Sequence, residues 1–214
     1  MIHIIRHKEY DFEIPSGYCT CEVGKLFKGG RDNINALNPV INELTGIYDV
    51  WKNYDDTFVG FCHYHRFFTK DGETLGFKQA VKEISGHDII LAFPVVYPDV
   101  SIRGSLERDF REDLPTFDKY MDLLYAAEPG LKEYFDGNTF HPRNMFFTDR
   151  TTLNEYCEWL FNLIIPFAER FQREDFYKYP HYYSRMIGFI AERLLTYYVK
   201  SRELDFTYLP YKEF

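Results

Sequence analysis

The fold is decided by residues 38–68, NPVINELTGIYDVWKNYDDTFVGFCHYHRFF. The first half has helical spacing. Val40, Ile41, Leu44, Ile47, Tyr48 and Trp51 recur three and four residues apart, and Asn42, Thr45, Asp49 and Lys52 form the opposite stripe. Asn38 before Pro39 predicts the helix start, because an asparagine amide can cap free N–H groups and proline tolerates the first helical position. The second half, DTFVGFC, has the continuous apolar character of a parallel strand buried on both faces. It ends on His63, His65 and Arg66, three cationic or ionisable side chains at the mouth of a strand.

Working outward, residues 2–6 and the stretch GYCTCEVG predict two further short strands, separated from the helix by the polar loop KGGRDNINALN. GFKQAVKEI predicts a helix, and DIILAFPVV a strand closed by prolines. Residues 99–115 are charged and without periodicity, and predict a long functional loop. Phe117, Tyr120, Met121 and Leu124 mark another helix, and NMFFT a strand after it. Thr152 with Glu155 predicts a capping box before a helix carrying Leu153, Tyr156, Leu160, Leu163 and Phe167, kinked or ended by Pro166. SRMIGFIAERLLTYYVK predicts a last long helix. Trp51 and Trp159 fall in apolar stripes and are assigned to the core.

Strands alternating with helices predict an α/β fold, one domain over residues 1–214 with a mostly parallel central sheet and helices on both faces. Ligands of such sheets sit beyond the carboxyl ends of the strands. That edge receives His63, His65 and Arg66, and also His7 and Lys8, which directly follow the first strand.

Composition narrows the function classes. At 45% hydrophobic and 19% aromatic the chain is too apolar for disorder, and it has no apolar run of membrane-spanning length. The first residues lack the apolar stretch of a signal peptide, which predicts a cytoplasmic protein. A net charge of −8 argues against extended nucleic-acid contacts, which need a basic face. Two or three placed cations still suffice for a small anion. Cys19, Cys21, Cys62 and Cys157 have neither a disulfide framework nor paired zinc spacing, and are read as free thiols.

Three readings compete for the His63–Arg66 segment. The histidines, two apart, can bridge a metal, but no third carboxylate or cysteine accompanies them. They can be satisfied polar residues closing a strand. The favoured reading is anion binding, with Arg66 gripping a phosphate and the imidazoles donating hydrogen bonds. Asp32, Asn33, Asn38, Asn42 and Glu43 precede them and supply groups suited to a base or ribose. In the last helix Arg185, Gly188 and Glu192 share one face, either as a site or as an exposed ion-paired stripe. No Walker loop, GxGxxG or GxSxG occurs, and the one aspartate pair, Asp55-Asp56, stands before the strand.

NPVINELTGIYDVWKN, FVGFCHYHRFF, NMFFTDRTTLNEYCEWLF and GFIAERLL together resemble the bacterial glycosyltransferase-like domains of capsular and exopolysaccharide gene clusters, catalogued as a domain of unknown function. The likeness covers about residues 2–210; the family usually has arginine where this chain has His65. It implies a GT-A-like, Rossmann-related domain that moves a hexose of galactose or galactofuranose type from a UDP-sugar to a glycan or lipid-linked oligosaccharide acceptor. No cofactor beyond the donor and no metal is expected, since protein cations stand where GT-A enzymes place aspartates. A peripheral contact with the membrane is compatible with a lipid-linked acceptor. The resemblance makes Glu192 the first candidate for the acceptor base and Asp149 the second, with His141, Asn144, His181 and Arg185 as acceptor contacts. Alternatives are a non-catalytic nucleotide- or glycan-binding module and a metal-dependent hydrolase built on His63, His65 and His7.

Overall fold

A computed structural model describes residues 1–9, 13–178 and 182–213. The first strands are β1 (Ile2–Arg6) and β2 (Tyr18–Glu22), followed by helices α1 (Asn38–Ile41) and α2 (Leu44–Asn53). Next come β3 (Phe58–His63), β4 (Arg66–Lys70), β5 (Glu73–Thr74), α3 (Phe77–Glu83), β6 (Ile89–Ala92) and β7 (Val95–Val96). The second half contains α4 (Ile102–Asp109), α5 (Leu114–Ala127), α6 (Leu131–Asp136), β8 (Thr139–Phe140) and β9 (Phe146–Asp149). The chain then forms α7 (Arg150–Glu174), α8 (Met186–Glu192), α9 (Leu194–Ser201), β10 (Phe206–Leu209) and β11 (Tyr211–Glu213).

The main sheet has the order β10-β6-β9-β3-β1-β2. Along this path β2, β1, β3, β6 and β10 point one way and β9 runs against its two neighbours, so the central sheet is mostly parallel as expected; β4 joins beside β3 antiparallel and carries β5 and β11. Side-chain alternation divides the core. Ile89 and Leu91 face the larger cluster under α2, α5, α7, α8 and α9, while Ile90 and Ala92 face a smaller one closed by α3 and β4. Gly60 fills a place no other residue can take. A Cβ there would stand 2.8 Å from the Phe147 ring on β9 and 2.9 Å from Ile2 on β1.

Several local expectations are corrected. The helix over 38–53 breaks at Asn42, whose φ of 49° divides α1 from α2. Asn38 starts α1 without capping it; its amide donates instead to the Asn42 carbonyl and Thr45 Oγ1, both at 2.9 Å. Residues 102–109 are helical, because Ile102, Leu106 and Phe110 supply a buried face that the charged residues around them disguised. The cap of α7 is Asp149, not Thr152: its carboxylate accepts from the amides of Thr151 and Thr152. That helix passes through Pro166 to Glu174, its eight buried side chains outweighing one missing hydrogen bond. The last helix divides into α8 and α9 at Arg193. The segment 58–70 is a β-hairpin turning at Tyr64 and His65, with His63 opposite Arg66. The terminal strands β10 and β11 had no counterpart in the sequence reading.

Other expectations hold. All four cysteines are free thiols. Trp51 stacks 5.7 Å from Phe161 and Trp159 packs 5.2 Å from Tyr198, both against the larger core. Among the described residues no helix is long and apolar enough to cross a membrane.

Beneath the amino ends of the strands, His3 is fully buried on β1, with Nε2 3.3 Å from Asp56 and Nδ1 3.2 Å from the Cys19 sulfur. Burial pushes its pKa down from 6.5 to about 4, and Asp56 offsets only part of that. The unfolded chain therefore binds a proton at His3 before the folded protein does. This contribution is constant above pH 6.5 and is lost as pH falls from 6.5 towards 4, roughly 3 kcal/mol in all. Urea unfolding across that window should show the loss in the wild type and a shallower one in His3→Gln.

Candidate functional site

The carboxyl ends of β1, β2 and β3 open into a cleft of ≈ 530 Å³. Ile5, His7 and Val23 form its floor, Asn38, Asn42 and Glu43 come from the α1–α2 junction, and His63 to Arg66 supply the hairpin tip. Arg143 enters from the loop before β9, while Arg185, Gly188, Phe189 and Glu192 form the opposite wall on and beside α8. Three arginines and three histidines thus converge with two carboxylates, on a protein whose overall charge is negative.

Close helix packing makes this wall. A Cβ on Gly188 would lie 2.7 Å from Asn42 Nδ2 and 3.0 Å from the Val40 carbonyl, so glycine lets α8 lie directly on α1. The approach brings Arg185 Nε to 2.8 Å from Asn42 Oδ1. At the other end of α8, Glu192 is fixed from two directions. Oε1 accepts from the Arg143 amide at 2.6 Å, and Oε2 pairs with buried Arg193 at 2.5 Å. His63 Nε2 donates to the Arg143 carbonyl at 2.7 Å, which assigns the proton to that nitrogen. Glu43 Oε1 accepts from buried Asn144 at 2.9 Å.

Backbone strain collects at the same place. Asn42, Arg143 and Asn144 have φ of 49°, 74° and 50°, three of the five non-glycine residues with left-handed φ among those described. Each such residue costs on the order of 1–3 kcal/mol and persists where surrounding contacts fix it, as they do at functional sites.

The electrostatics follow from crowded cations. Burial, Lys8, Arg185 and His63 lower the pKa of His7, and burial and Arg66 lower that of His65. Both imidazoles are therefore biased to the neutral form until an anion enters. One internal anion is already present. Glu213 on β11 accepts from Arg66 Nη2 at 2.7 Å and lies 3.0 Å from His65 Nε2. Desolvation is the largest single influence and raises its pKa, but Arg66 and His65 together outweigh it and hold the group below the usual carboxylate value. By contrast, the Arg143 guanidinium has no hydrogen bond or ion pair among the described residues.

The structure thus gathers His7, Asn38, Asn42, Glu43, His63, His65, Arg66, Arg185 and Glu192 around one cleft. Lys8 stands 5.5 Å over the Tyr64 ring, which lines it, and Asn144 lies behind Glu43. Four expected site residues lie elsewhere. Asp32 accepts from Tyr48 on the exposed loop, and Asn33 folds back on the Arg31 carbonyl. His141 is a buried strut between the Ala92 carbonyl and Thr196 Oγ1. Asp149 pairs with Phe58 at the opposite end of the sheet and spends its carboxylate on the α7 cap. His181 lies outside the described residues. Arg143, Phe189 and Glu213 were missed; an arginine in the loop just before a central strand was the available signal for Arg143. No group of three or more histidine, cysteine, aspartate or glutamate side chains that could hold a metal occurs among the described residues.

A family model described as "Domain of unknown function (DUF4422)" matches residues 1–203. No curated protein matches the chain. Among solved structures, the apo form of the bifunctional glycosyltransferase WbbM shares the fold with a TM-score of 0.83 at 23% identity, over 99% of this chain and 45% of that one. The chain thus spans less than half the length of that protein.

Removing the internal anion should free the hairpin cations. Glu213→Gln is expected to bind inorganic pyrophosphate about two- to fivefold more tightly by calorimetry, the scale of one exposed ion pair. Weaker binding by the variant would mean that Glu213 supports the anion site instead of competing for it.

Proposed function

The chain belongs to the DUF4422 family, and we propose that it is a glycosyltransferase. In this reading it moves a hexose, of galactose or galactofuranose type, from a UDP-sugar to a glycan acceptor in surface polysaccharide synthesis. The observation that carries the reading is the cleft beyond β1, β2 and β3, where Arg66, Arg143, His63 and His65 converge within reach of two carboxylates. The WbbM fold likeness supports it.

Transfer requires the acceptor hydroxyl to attack the anomeric carbon while UDP departs with the bonding electrons. Charge then grows on the diphosphate, and fixed donors aimed at that charge lower the barrier. In this reading Arg143, its backbone gripped by Glu192 and His63, supplies one such donor, and Arg66 joins when Glu213 yields. The His63 imidazole, oriented by the Arg143 carbonyl, lines the same space. These groups take the part that a metal plays on other scaffolds. The floor beside Ile5, His7 and Val23, with Asn38 and Asn42, receives the nucleoside.

The hydroxyl proton goes to a carboxylate if configuration inverts. Glu192 remains the candidate, because Asp149 is across the sheet and Glu192 faces the cleft with its position fixed by Arg143 and Arg193. Its two hydrogen bonds use half of the roughly four lone-pair sites of a carboxylate.

Calorimetry should find UDP bound at least about tenfold more tightly than UMP, a gain of about 1.4 kcal/mol from the second phosphate. Binding and turnover should persist in excess EDTA, and Arg66→Ala or Arg143→Ala should cost about 2–4 kcal/mol of transition-state stabilisation. Equal, weak binding of all nucleotides ends the nucleotide-sugar reading, and strict dependence on manganese or magnesium ends the role given to the arginines.

Glu192→Gln retains an acceptor for the Arg143 amide and loses the charge. If Glu192 is the base, turnover should fall roughly 10²–10⁴-fold with the protein folded and UDP affinity retained. Normal turnover in a stable variant would leave Glu192 as a strut for the Arg143 loop and transfer the role to Glu43.

A further inference from the structure

We propose that the α8 wall of the cleft is a sugar subsite, in which Phe189 and Tyr182 stack one face of a neutral hexose while Asp109 and Glu192 receive its hydroxyls. That the bound sugar is the acceptor rests on the transferase reading; the subsite itself does not.

The cleft has two chemically different sides. One, described above, is a field of cations. On the other, Phe189 lines the cleft and Tyr182 lies 5.1 Å from it at 48°, with 45% of its surface exposed. Both rings rest on Phe110, which is fully buried at the end of α4, at 5.7 and 6.2 Å. The two rings form one aromatic platform backed by a buried third ring. An aromatic surface fixed beside a cleft keeps apolar area in water, and a ligand with an apolar face recovers that cost.

Carboxylates define the rest of the ligand. Asp109, adjacent to Phe110, is half-buried and has no hydrogen-bond partner among the described residues. Its place beside the platform follows from its neighbour Phe110, on which both rings pack, and burial raises its pKa, with Arg193 opposing this and Glu192 adding to it. Ionised carboxylates only accept hydrogen bonds, so they suit a ligand rich in hydroxyls and repel a phosphate. A neutral hexose combines a C–H face with a hydroxyl edge and meets both demands. The Arg185 guanidinium, 5.5 Å over the Phe189 ring, closes the platform on the side towards Asn42.

The probe is methyl β-D-galactopyranoside, observed by saturation-transfer NMR with irradiation confined to aromatic protons. The wild type should transfer saturation to the ring C–H protons of the sugar, and the signal should survive saturating UDP. Tyr182→Ala should weaken binding about three- to tenfold, the worth of one aromatic contact, and Tyr182→Phe should restore it. Phe189→Leu should weaken it similarly. No transfer in the wild type, or equal binding by Tyr182→Ala, overturns the subsite. Displacement of the glycoside by UDP also overturns it, because the platform would then hold the nucleoside. UDP calorimetry on the same wild-type sample separates the two levels: glycoside binding without UDP binding removes the transferase reading and leaves the sugar subsite standing.

Discussion

The peptide of Arg143 is held from both sides, and the cleft depends on that grip. Its N–H donates to Glu192 at the end of α8, and its carbonyl accepts from His63 at the end of β3. Two elements 80 and 49 residues distant in sequence thereby fix one loop residue. The left-handed backbone at Arg143 and Asn144 is unfavourable for residues with a Cβ, by about 1–3 kcal/mol each. A charge-assisted hydrogen bond is worth roughly 1.5–3 kcal/mol, so the Glu192 contact offsets about one of the two strained residues, and the bonds from His63 to the Arg143 carbonyl and from Asn144 to Glu43 add to it. The result is an arginine whose backbone is anchored and whose guanidinium makes no hydrogen bond or ion pair among the described residues.

An acidic protein with a basic cleft separates two electrostatic tasks. The net charge of −8 discourages polyanions, while low-dielectric walls concentrate the field of Arg66, Arg143 and Arg185 within one concavity. Histidines in such a field are biased against protonation, as His7 and His65 are. An entering anion reverses that bias, so imidazoles can gain charge when it is needed.

Legibility in the sequence followed the range of the interactions involved. Continuous apolar strands and three-to-four periodicity gave the parallel sheet and most helices, because burial of one face dictates those patterns locally. The break at Asn42 was invisible, since it arises where α1 meets α8 over Gly188, a contact between residues far apart in sequence. The α4 helix was hidden because its buried face, Ile102, Leu106 and Phe110, is only three residues among many charges. At the site, position after a strand identified His7, His63, His65 and Arg66. The same topological rule had no purchase on Arg143, which precedes its strand and reaches the cleft because β9 runs antiparallel. Asp32 and Asn33 resembled site residues only because aspartate and asparagine also serve loops.

Glu213 gives the hairpin tip a further meaning. Arg66 and His65, left alone beside the other cations, would repel them, and the folded cleft would carry that cost whenever it held no ligand. The antiparallel pairing of β11 with β4 sets Glu213 directly opposite Arg66, so the sheet itself delivers a counter-ion. The carboxylate is more than half exposed, and water screens the pair. It therefore balances the cations without binding them so strongly that an external anion cannot compete. A buried partner would have made the cleft stable and inert; an exposed one at the sheet edge keeps it folded and exchangeable.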